Sequence, residues 1–281
     1  MIKIIQTKKG PVEYRTEGNG PVILVLNGGH TNCMSPFEHE KYFLENGYSL
    51  VIPSRPGYGK TPSSSGKKAE EFADTIASLL DALMIDKVIV MGISAGGRTA
   101  LHFAKNYPDR LTKLLLESAV TCETWPNFGI RIGAMFIFNK FSERLTWAAF
   151  RLLGRIAPDY ALKIMMKSLS SLNSQEVVNG WNEKERKSVL EFLLGSRSGS
   201  GFLNDIKHTF AFENLNLITV PTLIIASSND KSVSPLNSIK ASQQINGAEL
   251  MMIPAESHLI WFSKYKTEIE NKIADFIRID H

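Results

Sequence analysis

Short apolar runs recur along most of the chain, each separated from the next by a longer stretch with helical spacing. The runs near 22–26 (Val22-Ile23-Leu24-Val25-Leu26), 49–52, 87–91, 112–116, 222–226 and 249–253 read as buried strands. They are short, and apolar on both faces, as strands of a covered parallel sheet are. Residues 1–5 and 12–15 read as an antiparallel hairpin entering the same sheet. Helices are expected near 36–45, 67–83, 97–107, 235–245 and 259–279. Regular alternation of this kind specifies the α/β class: a doubly wound, mostly parallel eight-stranded sheet covered by helices on both faces.

The pattern changes between about 121 and about 207. Strands vanish, helical periodicity takes over, and three of the four tryptophans fall here, Trp125, Trp147 and Trp181. This segment is expected to be a helical lid inserted after the sixth strand, leaving 1–120 and 208–281 as the core. Its aromatic and methionine side chains exceed what a solvent-facing helical pair needs, so some should pack on the core and some should line an apolar pocket. Phe128 and Met135 are the candidates placed in that pocket. The lid also holds most of the net positive charge (Arg131, Arg144, Arg151 and Lys163 among others), which solvated helix faces explain more simply than an anionic substrate. Ser63-Ser64-Ser65-Gly66 reads as a loop, and there is no internal repeat.

With 281 residues, 43% of them hydrophobic, the chain can bury a large core. Its net charge of +4 is small and dispersed, which argues against nucleic acid as a partner. No apolar stretch is long enough to span a membrane. Cys33 and Cys122 make no disulfide framework and no signal segment is evident, so a cytoplasmic home is expected. The partner implied is a small-molecule substrate; a homodimer is left open. His39, His102 and His208 have no neighbour at metal-ligand spacing, so no metal and no other cofactor is expected.

Candidate chemistry begins at Gly92-Ile93-Ser94-Ala95-Gly96, set between an expected strand and an expected helix. Glycines flank a turn that brings two backbones together and pushes Ser94 above the sheet as a nucleophile. The competing reading is a plain glycine-rich turn. A serine needs a base, and the base needs an orienting acid. His258 lies in the loop after the strand at 249–253, where sheet enzymes place their chemistry. Asp230 leaves the strand at 222–226 and is the candidate acid; Glu117 and Glu123, after the strand near 112–116, are the alternatives. The order Ser94, Asp230, His258 is nucleophile, acid, base.

On these residues the chain resembles the α/β-hydrolases, in particular the lid-bearing group of esterases, C–C hydrolases and haloperoxidase-like proteins. The matching pieces are Val22 through His30, Arg55-Pro56-Gly57-Tyr58-Gly59-Lys60-Thr61, the serine turn, Pro221 through Pro235 and Ser257-His258. Two departures stand out: Asn27-Gly28 where the family usually has His-Gly, and Ser54 where it often has Asp. The resemblance implies an oxyanion hole of two backbone amides, Ala95 and Gly29, with His30 next in line for the second. Gly28 and His30 would then face substrate, although a loop histidine packing on its neighbours is an equal reading. Haloalkane dehalogenases and epoxide hydrolases need a carboxylate where Ser94 stands. Proline iminopeptidases usually carry His-Gly-Gly-Pro-Gly, absent here. Hydrolysis of an ester or thioester of a small, largely apolar substrate is therefore the expected activity, C–C bond hydrolysis the alternative, and a non-catalytic ligand-binding protein the reading from a different class.

Overall fold

The structure is a computed structural model describing residues 2–36, 38–126, 128–139 and 141–278, with the side chains of Phe128 and Ile130 outside that description. Eight strands form one sheet: β1 (Ile2–Thr7), β2 (Gly10–Glu17), β3 (Val22–Leu26), β4 (Ser49–Pro53), β5 (Val88–Ile93), β6 (Leu111–Glu117), β7 (Thr222–Ser227) and β8 (Glu249–Ile253). Their spatial order is β1-β2-β4-β3-β5-β6-β7-β8. The hairpin β1–β2 and the β2–β4 pair are antiparallel, and every later pair is parallel.

Around the sheet lie α1 (Glu40–Glu45), α2 (Ala69–Ala82), α3 (Gly97–Asn106), α10 (Leu236–Gln244) and α11 (Lys266–Ile277). Between β6 and β7 the elements among the described residues are helical: α4 (Phe128–Ile137), α5 (Glu143–Ile156), α6 (Pro158–Leu169), α7 (Ser174–Gly180), α8 (Glu183–Leu194) and α9 (Gly201–Asp205). The two-residue period of a strand explains why the run Val22–Leu26 is apolar throughout. Ile23 and Val25 join the buried cluster that includes Phe43, Ile273 and Ile277, while Leu24 and Leu26 join the one with Phe72, Leu101 and Ala241. Leu162, Met166, Val178 and Leu193 of the insertion belong to the first cluster, so α6–α8 pack into the core of one sheet face. Among the described residues no helix is long and apolar enough to cross a membrane.

Two helices are shorter than expected. α1 starts at Glu40 because Asn32 and Ser35 close a local turn first: Met34 N–H donates to Asn32 Oδ1 at 2.7 Å and Asn32 N–H to Ser35 Oγ at 3.0 Å. The last helix is broken into a short 3₁₀ turn, Ile260–Phe262, and α11. Ser263 Oγ takes the Tyr265 amide at 3.3 Å, offering the backbone an alternative to continuing the helix. Ile279, where that helix was expected to end, lies outside the described residues.

Candidate active site

Ser94 stands at the end of β5 with φ +48°, a left-handed conformation that costs energy for any residue bearing a Cβ. Its neighbours make the turn sterically possible. A Cβ at Gly96 would sit 2.0 Å from the Leu26 carbonyl oxygen, and one at Gly92 would sit 2.6 Å from the Ala100 side chain. The Ser94 carbonyl is pinned from the other side by the Val120 amide at 2.9 Å.

His258 Nε2 lies 3.0 Å from Ser94 Oγ, and His258 Nδ1 lies 2.6 Å from Asp230 Oδ2. A carboxylate only accepts, so Nδ1 carries the proton and Nε2 is left to accept from the serine hydroxyl. Asp230 is itself held, its Oδ1 taking the Val233 amide at 2.8 Å. All three side chains are buried. The loops carrying the acid and the base are stitched to the chain just after α6. The His258 amide donates to the Leu169 carbonyl at 2.8 Å, Ser170 bridges to Asp230, and the Ser171 amide donates to Asn229 at 3.0 Å.

The alternative acids are committed elsewhere. Glu117 accepts the Trp261 indole N–H and lies 3.3 Å from His39 Nε2. Glu123 is paired with Lys240.

The loop after β3 faces Ser94 closely: a Cβ at Gly28 would come within 3.1 Å of the serine Cβ. What fixes this loop is the fully buried Arg55. Its guanidinium donates to the carbonyls of Asn27 at 2.6 Å and Gly28 at 2.8 Å, and to both oxygens of Asp205 at 2.5 and 2.8 Å. With its carbonyls drawn toward Arg55, the loop keeps the Gly29 amide without an acceptor among the described residues. Beside the loop the Tyr58 hydroxyl donates to Asp205 at 2.6 Å. Asn27, in the place of the usual histidine, reaches the Asn32 carbonyl at 3.3 Å. Ser54, in the place of the usual aspartate, donates to the buried Glu13 at 2.7 Å.

His30 both packs and lines. Its ring stacks on Phe202 at 4.2 Å and lies near Phe138 and Trp147, and its Nδ1 is 2.7 Å from Ser198 Oγ, which accepts the Trp147 indole N–H. Burial lowers its pKa to about 4, so the ring is neutral near pH 7.

Above Ser94 lies a cavity of about 590 Å³ that contains Ser94, His258, Gly28, Gly29 and His30. Its walls are largely aromatic and aliphatic. Phe150, Met165 and Phe192 come from the insertion, and Trp261 and Phe262 from the loop after His258. Among the described lining residues Glu38 carries charge and no lysine or arginine does. Met135 does not line it: it is 59% exposed on α4, whereas its neighbour Ala134 is buried and faces the cavity. The Phe128 side chain lies outside the described residues.

Sequence reasoning missed Asp205, Ser198 and Trp261. Asp205 ends α9 and Ser198 lies in the loop between α8 and α9, both far from Ser94 in sequence, and no local motif marks them. Trp261, three residues after His258, was within reach as an aromatic on the loop that carries the base. Among the described residues no cluster of His, Cys, Asp or Glu could hold a metal ion.

Residues 21–265 match the family described as alpha/beta hydrolase fold. An uncharacterized hydrolase, YcgS, of Bacillus subtilis (strain 168) is 34% identical over 280 residues, covering 98% of each chain. A 2-hydroxy-6-oxo-6-phenylhexa-2,4-dienoate hydrolase of Burkholderia cepacia is 31% identical over 261 residues, 88% of this chain and 84% of that one. Among solved structures, an alpha/beta hydrolase fold protein from Nakamurella multipartita superposes with a TM-score of 0.82 at 23% identity, covering 99% of each chain.

Proposed function

The chain belongs to the alpha/beta hydrolase fold family, and within it we propose a serine hydrolase that cleaves a carboxylic ester of a small, largely apolar substrate through an acyl-enzyme. The observation that carries this reading is the continuous hydrogen-bonded chain Ser94–His258–Asp230 at the floor of an apolar cavity. In the proposed reaction His258 Nε2 takes the hydroxyl proton as Ser94 Oγ attacks the ester carbonyl. The amides of Ala95 and Gly29 receive the developing oxyanion, and the imidazolium returns its proton to the departing alkoxide. Water then repeats the sequence on the acyl-enzyme, with the same histidine as base. Asp230 keeps Nδ1 protonated and offsets the charge that forms on the ring. The helices α4–α8 act as a lid whose side chains set the size of the acyl or alcohol group.

C–C bond hydrolysis, the activity of the Burkholderia relative, is the second reading. That relative's substrate name denotes a carboxylate, and an anion needs a cation or several donors in the wall that receives it. A lining whose one charged side chain among the described residues is Glu38 favours a neutral ester instead. A binding-only role is disfavoured because a receptor has no need of a serine aligned on a base.

The test is hydrolysis of p-nitrophenyl acetate, butyrate and octanoate, with a serine-directed phosphonate followed by mass spectrometry. Turnover with a pre-steady-state burst and labelling at Ser94 is the expected result. Turnover of a dienoate in preference to all three esters would favour C–C hydrolysis, and neither turnover nor labelling would favour the binding protein.

A further inference from the structure

The helical insertion has a second apolar surface, on its outside. The inward side of α5 carries Trp147 and Phe150, which line the cavity. On the outward side Leu145, Ala149, Leu152 and Ile156 recur at i, i+4, i+7 and i+11 and share one face. Leu145, Leu152 and Ile156 are 73%, 57% and 73% exposed. A surface helix ordinarily turns charge to water, so an aliphatic stripe facing solvent marks a surface that meets something else. The neighbouring helices add Phe136 of α4 and Tyr160 of α6, both exposed.

Charge identifies what it meets. Between Phe128 and Leu169 there are seven lysines and arginines against two carboxylates, Glu143 and Asp159, an excess larger than the net +4 of the whole chain. Both carboxylates are paired with cations outside the segment, Glu143 with Arg197 and Asp159 with Arg186. Arg144 and Arg155 are exposed near the two ends of the aliphatic stripe. A second copy of the chain docking by two-fold symmetry would set this basic face against itself. An aliphatic face bordered by arginines instead matches the boundary between acyl chains and anionic headgroups.

We propose that the outer face of α4–α6 docks on anionic phospholipid bilayers. The patch is continuous with the cavity: Ile137 and Ile164 line the cavity and are also 45% and 38% exposed. Docking therefore sets the cavity rim against the phase in which apolar molecules concentrate. Binding by this face is independent of the hydrolytic reading, since none of its residues touches Ser94, Asp230 or His258.

The test is co-sedimentation of the full chain with vesicles of phosphatidylcholine alone and of phosphatidylcholine mixed with phosphatidylglycerol. Association with the mixed vesicles, falling as salt is raised, is expected. Arg144→Glu with Arg155→Glu should weaken it by at least tenfold, each basic side chain at the surface being worth about fivefold. Leu152→Asp with Ile156→Asp should abolish it; these side chains are exposed, so an unchanged unfolding midpoint identifies the loss as one of binding. Absence of association, equal association with both vesicle types, or association untouched by both pairs of substitutions would overturn the proposal. So would a dimer in solution that Leu152→Asp dissociates, which would assign the face to a second copy.

Discussion

The two walls of the cavity are built by different means. On the core side the candidate catalytic groups are held by directional bonds: Asp230 by the Val233 amide, His258 by Asp230, the Gly28 loop by Arg55. On the insertion side Phe150, Met165 and Phe192 are held by packing. A proton transfer tolerates little displacement, so its groups need hydrogen bonds that fix them, whereas an apolar pocket needs only shape. The contrast is not complete, because the chain at the end of α6 clamps the Asp230 and His258 loops and Asp205 of α9 clamps Arg55. The insertion thus holds the Asp230 and His258 loops and Arg55 through its ends and lines the cavity through its middle.

The largest effect is expected at the core wall. Ser94→Ala should lower ester turnover by on the order of 10⁶-fold with unchanged circular dichroism; retained turnover would remove the nucleophile assignment. Asp230→Asn should lower kcat roughly 10⁴-fold by allowing the wrong imidazole tautomer. Glu117→Gln should leave kcat far closer to the parent value, and the reverse ranking would transfer the acid role to Glu117. Asp205→Asn tests whether the walls are independent. Breaking its buried pair with Arg55 should cost about 3–5 kcal/mol in denaturant unfolding, and kcat should fall with it because the Gly28 loop loses its anchor. An unchanged kcat would mean that the loop is held without the insertion.

Two histidines extend the comparison to pH, His39 fully buried and His30 half-buried at the cavity wall. Burial alone would lower the pKa of His39, but Glu117 of β6 and Glu270 of α11 raise it to about 9. A folded value above the unfolded one, about 6.5, gives stability fully present below pH 6.5 and lost as pH rises toward 9. His30, held at about 4 chiefly by burial, works the other way: the unfolded chain takes up the proton first, so stability falls as pH drops from about 6.5 toward 4. Urea midpoints measured across this range should therefore decline on both sides, and His39→Gln should flatten the alkaline side alone. At about 1.4 kcal/mol per unit, the alkaline loss is on the order of a few kcal/mol. The smallest effect belongs to the insertion wall: Phe150→Ala should shift preference toward octanoate over acetate by roughly tenfold while acetate turnover barely changes.

Much of this arrangement was readable along the chain. Val22–Leu26 announces a strand covered on both faces because every position is apolar, and the glycines around Ser94 announce a turn that only they can make. The position of His258 after β8 followed from the same alternation. Met135 shows the limit: its composition suited a pocket, yet it faces outward beside Ala134, which faces in. An apolar side chain on a helix that is apolar over most of its surface carries no mark of which side is covered. Nor does an exposed stripe such as that of α5 differ in sequence from a buried one.

Local physics is written in adjacent residues, and there the sequence alone was sufficient: strand and helix alternation, the mostly parallel sheet, and the constrained serine turn. Tertiary structure decided what depends on residues far apart in the chain meeting in space. It chose Asp230 over Glu117 as the neighbour of His258, turned the carbonyls of Asn27 and Gly28 toward Arg55 and Asp205, and sorted the apolar side chains of α4 and α5 between cavity and surface. Hydrogen-bond partners and buried faces are properties of three-dimensional neighbourhoods, and no spacing along the chain encodes which of two chemically equal candidates will find its partner.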